Sequence, residues 1–114
     1  MSIAEFELIV TKHSLQPDNY LFNSNALTGE AGEVANQVKK REMALLRPEW
    51  VTQNENRLPS VSEFEDEIKK ELGDVLFYLV RLALDNGLSL ESIMFSQAVK
   101  LRKQSSQYGR TFLK

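Results

Sequence analysis

The feature that most constrains the fold is a helical segment, residues 75–84, that is apolar on nearly every side. Helical spacing extends the apolar line upstream, and the predicted core face consists of Phe64, Ile68, Leu72, Val75, Leu79, Leu82 and Ala83. A helix that is apolar nearly all round must be buried on several sides, which a chain of 114 residues can hardly achieve with its own helices. The segment therefore predicts a bundle that is completed by a second subunit.

Helical periodicity accounts for nearly all of the chain, so we predict an all-α, four-helix bundle in a single domain, residues 1–114. Pro48 ends the second helix, Gly87 stops the third and Ser89 caps the fourth. A capping box of Ser62 and Glu65 is expected at the start of the third helix. The predicted helices span about residues 3–13, 20 or 24 to 46, 60 or 62 to 85, and 90–104.

Residues 46–60 have no helical period and contain two prolines and two asparagines, so they predict a long connection. Loops of about fifteen residues in compact domains are usually either functional or disordered. Two interpretations stay open: a lid or specificity element that bears Trp50, and a surface loop with a half-buried tryptophan.

Composition excludes several functional classes. The formal charge of −2 and pI near 5.5 give no general attraction to a nucleic-acid polymer or an anionic membrane. Because the chain has no cysteine, thiolate catalysis, disulfides and zinc–thiolate sites are excluded. The first residues carry acids within a short apolar stretch, so we expect neither a signal peptide nor a membrane span, and a cytoplasmic location.

Two acidic pairs carry the functional signal: Glu30 with Glu33, and Glu71 with Asp74. Residues three apart project from one face of a helix, so each pair can share a cation. Apolar residues flank both pairs, which predicts that the carboxylates lie near a helix–helix interface, where an unneutralised anion is costly. Glu63 and Asp66 have the same spacing but lie in a run of alternating charge typical of a solvated first turn.

Four carboxylates from two packed helices suit Mg²⁺, with Mn²⁺ as a substitute, and such ions typically bridge phosphate oxygens. A phosphoric anhydride is therefore the natural substrate. Glu67 lies one helical turn from Glu71, and either adds a ligand or base or pairs with Lys70 or solvent. Lys39 and Lys40 either reach a substrate phosphate or complement the helix dipole.

At these residues, set as GEAGEVA and ELGDVLFYL, the chain resembles the MazG-like all-α nucleoside triphosphate pyrophosphohydrolases. The resemblance covers roughly residues 27–103 and implies that Glu30, Glu33, Glu71 and Asp74 are the catalytic Mg²⁺ ligands. Members often carry Asn-x-x-Lys-Leu on a later helix, where the Asn and Lys approach the nucleotide phosphates. The matching stretch here begins with Gln97, a longer amide than the family's asparagine, and contains Lys100 at the lysine position.

The resemblance implies hydrolysis of a (deoxy)nucleoside triphosphate to the monophosphate and pyrophosphate, in nucleotide house-cleaning or pool control, by a homodimer or homotetramer. A narrower relative, such as a dUTPase or a phosphoribosyl-ATP pyrophosphohydrolase, is an alternative. A non-catalytic helical module that binds nucleotide or dimerises is another. The base-reading candidates, which are equally compatible with a place in the core, are Phe6, Tyr20, Phe22, Asn23 and Trp50.

Overall fold

The structure is a computed structural model that describes residues 1–13, 20–47 and 61–107. Within these ranges it has four helices and no strand, which confirms the all-α class; completion of the bundle by a second subunit stays a prediction. The connection at 48–60, including Trp50, and the tail at 108–114 lie outside the described residues. The helices are α1 (Ile3–Lys12), α2 (Tyr20–Leu46), α3 (Val61–Asp85) and α4 (Leu90–Gln107).

Local capping chemistry explains where α1 begins and where α3 ends. Ser2 Oγ accepts the Glu5 N–H at 3.1 Å and the Glu5 carboxylate accepts the Ser2 N–H at 3.2 Å, which forms a capping box at the start of α1. Beyond α3, Gly87 adopts φ +68°, and the Leu88 N–H donates to the Ala83 carbonyl at 2.8 Å. With the bond from the Gly87 N–H to the Leu84 carbonyl, this is a Schellman motif, which confirms Gly87 as the stop.

The start of α4 confirms Ser89 as its cap, since Ser89 Oγ accepts the Ser92 N–H at 3.1 Å. The N–H of Leu90, the first residue of α4, donates to Glu7 Oε1 at 3.2 Å. The Glu7 carboxylate of α1 therefore lies at the positive end of α4. The capping box expected at Ser62 is wrong, because α3 already begins at Val61. α4 also extends three residues beyond the predicted end at Gln104.

The chain forms two compact units: unit 1 is Met1–Pro17 with Val80–Lys114, and unit 2 is Asp18–Leu79. The single-domain assignment stays a prediction. The buried residues described in unit 1 are Val10, Val80, Arg81, Ala83 and Ser105, and those in unit 2 are Asn23 and Ala44. Unit 2 therefore has much less buried side-chain volume of its own among the described residues.

Within unit 2, α2 and α3 run antiparallel. Glu30 of α2 lies beside Glu71 and Asp74 of α3, whereas Arg41, later in α2, lies over Phe64, earlier in α3. The order of contacts along one helix is therefore reversed along the other. This arrangement brings the two predicted acidic segments to one interhelical line.

Several apolar residues of α2 and α3 are exposed, including Leu72 of the predicted core face. Leu72 and Leu76, four residues apart on α3, are 51% and 39% exposed, and Val38 and Leu45 of α2 are 44% and 51% exposed. Residues four or seven apart lie on one helical face, so each helix presents an apolar stripe to the outside. No helix in the described part of the chain is long and apolar enough to cross a membrane.

Candidate metal centre

Three carboxylates converge in unit 2. Glu30 of α2 and Glu71 and Asp74 of α3 each offer a carboxylate oxygen, and these atoms lie within 4.8 Å of one another. All three side chains are half-buried, so they are reachable from solvent yet less hydrated than a free surface acid. The two α3 acids share a face because they are three residues apart, and the antiparallel packing brings Glu30 to that face.

The electrostatics of this cluster are strained in the absence of a cation. Desolvation, followed by the charges of Asp74, Glu71 and Glu33, raises the pKa of Glu30 above its ordinary value of 4.5. Both causes disfavour the ionised carboxylate. A cation at the cluster would oppose both effects, because it neutralises the repulsion and replaces lost hydration with direct ligation.

The donor set fits a small hard divalent ion. Oxygen ligands of Mg²⁺ lie at about 2.0–2.1 Å from the metal in octahedral geometry, so ligand atoms of one ion are separated by about 3–4 Å. Three oxygens within 4.8 Å of one another need only small rotamer changes to meet this geometry. All three are carboxylate oxygens, which suit Mg²⁺ or Mn²⁺ better than softer metals.

Glu33 and Glu67 lie outside this three-carboxylate group. Both side chains are exposed. The charge of Glu33 nevertheless lies close enough to Glu30 to contribute to its raised pKa. Their roles as metal ligands stay predictions.

The predicted substrate-binding residues fall in different parts of the chain. Lys39 and Lys40 are exposed on α2 in unit 2, and Gln97 and Lys100 are exposed on α4 in unit 1. Asn23 is 5% exposed and therefore buried, which agrees with a place in the core and does not test its predicted role in base recognition. Phosphate and base recognition by these residues stay predictions.

Glycines beside the acids leave open space. A Cβ built at Gly29, Gly32 or Gly73 meets no atom of the described residues within 4 Å. No backbone in the described chain approaches them, so their helix-weakening effect has no compensation there. Within the described residues, there is therefore open space directly around these three glycine positions.

One contact at this interface was not anticipated from the sequence. The Arg41 guanidinium carbon lies 4.8 Å from the centroid of the Phe64 ring, a cation–π contact between α2 and α3. Both side chains are half-buried. The sequence does contain a positional indication of this contact. Arg41 is eleven residues after Glu30, and Phe64 is seven residues before Glu71. Both spacings are close to whole numbers of helical turns, so each residue lies on nearly the same line of its helix as the acid.

Comparisons with known proteins agree with this arrangement. The profile of the MazG nucleotide pyrophosphohydrolase domain matches residues 19–107, a range that contains α2, α3 and α4. The chain is also 35% identical over 81 residues to the "Gene 37 protein" of Mycobacterium phage L5, covering 71% of this chain. It spans 61% of the length of that relative. No solved structure matches the chain significantly. With all three converging carboxylates inside the matched range, the chain belongs to the MazG nucleotide pyrophosphohydrolase domain family.

Proposed function

We propose that the chain is a divalent-metal-dependent pyrophosphohydrolase that cleaves a (deoxy)nucleoside triphosphate to the monophosphate and pyrophosphate. The observation that carries the proposal is the convergence of Glu30, Glu71 and Asp74 within a domain of this family. Mg²⁺, or Mn²⁺ in its place, is the ion that this donor set favours. Nucleotide house-cleaning or pool control is the expected physiological role, in the cytoplasm.

Glu30, Glu71 and Asp74 would hold the metal, with Glu33 and Glu67 able to turn toward it. When bound, such an ion neutralises charge on the anhydride and lowers the pKa of an attacking water. In this proposal, a carboxylate of the cluster or of Glu33 or Glu67 that is not a ligand would orient the attacking water and accept its proton. The open surface at Gly29, Gly32 and Gly73 gives an extended triphosphate room to approach.

Cations from the rest of the chain are proposed to position the phosphates. Lys100 corresponds to the family's phosphate lysine, with Gln97 beside it in place of asparagine, and Lys39 and Lys40 follow the acids on α2. Base recognition is assigned to Asn23 and Trp50 as candidates. These assignments rest on residue chemistry and the family pattern.

A homo-oligomer, dimer or tetramer, is part of the proposal. Supporting it are the exposed apolar stripes of α2 and α3, since leucine side chains at 51% exposure are costly to leave in water over several helical turns. Sedimentation of the purified chain would test it, and a strictly monomeric protein would contradict it.

The activity is tested by measuring pyrophosphate release from the standard dNTPs, dUTP and phosphoribosyl-ATP, with and without Mg²⁺. We expect metal-dependent release from at least one of them and loss of release in Glu71→Gln. Glu65→Gln is the matched control, because it removes the same charge from an exposed position of α3. Nucleotide binding without turnover, with both Mg²⁺ and Mn²⁺ tried, would instead favour a non-catalytic module.

A further inference from the structure

The three carboxylates of the metal centre are supplied by two helices, so the centre depends on how α2 and α3 pack. Glu30 comes from one helix and Glu71 and Asp74 from the other, with oxygens within 4.8 Å. Like charges at this separation repel and tend to push the helices apart. A favourable contact elsewhere along the same interface opposes that repulsion.

Few side chains of unit 2 are fully buried among the described residues, although the apolar side chains of Leu27, Val34, Ile68, Val75 and Leu79 are half-buried. Its buried residues are Asn23 and Ala44 among those described, and the apolar line of α2 includes the exposed Val38 and Leu45. A small methyl group at Ala44 contributes limited packing energy. A specific side-chain contact between α2 and α3 therefore adds to the packing that these half-buried residues supply.

Arg41 and Phe64 make such a contact on the line that the carboxylates occupy. Eleven residues correspond to about three helical turns and seven to about two, so Arg41 is in line with Glu30 and Phe64 is in line with Glu71. The guanidinium lies 4.8 Å from the ring centroid. Glu30 also lies beside Asp74, ten residues after Phe64, so the spacings of eleven residues on α2 and ten on α3 agree closely.

From this geometry we infer that Arg41 and Phe64 form a clasp that sets the register of α2 on α3 and so positions Glu30 against Glu71 and Asp74 to bind metal. The inference rests on the proposed function, since it assigns a role in building the same centre. Arg41 is a positioning residue here: it acts through the helix packing and touches none of the three carboxylates.

The inference is tested by titrating the chain with Mn²⁺ alone and following the free ion by electron paramagnetic resonance. Arg41→Ala and Phe64→Leu should each weaken Mn²⁺ binding by about three- to fivefold, the range expected for loss of a partly exposed cation–π contact. Arg41→Lys should restore part of the affinity, because an ammonium group also interacts with a ring face. Arg47→Ala, which removes the same charge from an exposed site on unit 2, should change binding by less than about twofold.

The double variant separates a clasp from two independent effects. Arg41→Ala with Phe64→Leu should bind Mn²⁺ no more weakly than either single variant, because each removes the same contact. Multiplied losses would overturn the clasp, as would unchanged Mn²⁺ affinity in a folded Arg41→Ala chain. A wild-type chain that binds Mn²⁺ but releases no pyrophosphate contradicts the proposed activity. The Mn²⁺ affinities of the variants would still test the clasp. A wild-type chain that binds no Mn²⁺ overturns both.

Discussion

The two compact units differ in the burial and charge of their residues. Unit 1 buries Val80 completely and Ala83 and Val10 nearly so, and its helix ends are satisfied by the capping contacts of Ser2, Gly87 and Ser89. In the described part of unit 2, two residues are buried, three carboxylates face one another, and a Cβ built at Gly29, Gly32 or Gly73 meets no atom within 4 Å. The difference indicates that unit 1 mainly stabilises the fold, whereas unit 2 accepts a cost in stability to keep a charged, accessible centre.

The largest expected effect is the loss of the proposed activity when a carboxylate of unit 2 is changed. Asp74→Asn should lower kcat/KM for pyrophosphate release by about 100-fold or more, since a charged ligand is lost where charge develops. Helix content measured by circular dichroism should not fall, because the substitution removes repulsion with Glu30 and Glu71. Asp66→Asn, at an exposed site of α3, is the control and should stay active. Comparable losses in both variants would contradict a specific centre.

In unit 1, a substitution in the core should instead lower the free energy of unfolding. Val80→Ala removes two methyl groups from a side chain with 0% exposure and should lower the free energy of unfolding by about 2 kcal/mol. Val99→Ala makes the same change at 46% exposure and should cost less than about 0.5 kcal/mol. Urea unfolding of both variants gives the comparison, and equal losses would argue against the assignment of the core to Val80.

The same glycine substitution should have opposite signs in the two units. Gly87→Ala forces an L side chain into φ +68° and should lower the free energy of unfolding by about 1 kcal/mol. Gly73→Ala, inside α3 and without a neighbour within 4 Å, should raise it by about 0.5–1 kcal/mol. Thermal and urea unfolding measure both. Activity of Gly73→Ala tests the interpretation that a phosphate approaches there, which a fully active variant would contradict.

The smallest expected effect concerns the charge of Glu30. Its raised pKa means that the folded chain holds this proton more tightly than the unfolded chain does. Without metal, stability should therefore fall as pH rises from about the ordinary value of 4.5 through the raised value, and stay lower above it. Glu30→Gln should flatten this dependence and raise the melting temperature at neutral pH by about 1–2 °C.

Added Mg²⁺ supplies the opposite test on the wild-type chain. An ion that binds only the folded state stabilises it according to its free concentration, so the melting temperature should rise with Mg²⁺. Glu30→Gln should lose most of this rise. A melting temperature that rises equally in both proteins would indicate that the ion acts elsewhere.

Helix limits were largely predictable because their signals are local. Pro48, Gly87 and Ser89 act within a turn of the residues that they terminate or cap, and each marks its helix end correctly. The end of α4 was placed too early because residues 104–107 carry neither proline nor glycine, so nothing local stops the helix.

Site geometry was predictable only in part. The convergence of Glu30 with Glu71 and Asp74 followed from their apolar neighbours, but the separation of Glu33 did not. Residues three apart differ by about 60° around a helix, so one member of a pair can face the neighbouring helix while the other turns outward. Which member faces inward depends on the register of α2 on α3. The contact of Arg41 with Phe64 depends on the same register and was missed for the same reason.

The hydrogen bond between Glu7 and Leu90 has a consequence for the order in which the chain folds during synthesis. It joins residues 83 positions apart, and unit 1 is built from both sides of a continuous unit 2. All of unit 2 leaves the ribosome before the residue that Glu7 caps, so α1 must wait undocked while α2 and α3 are made. The half that holds the three carboxylates is therefore synthesised before the completion of the half that contains five of the seven buried residues in the described part of the chain.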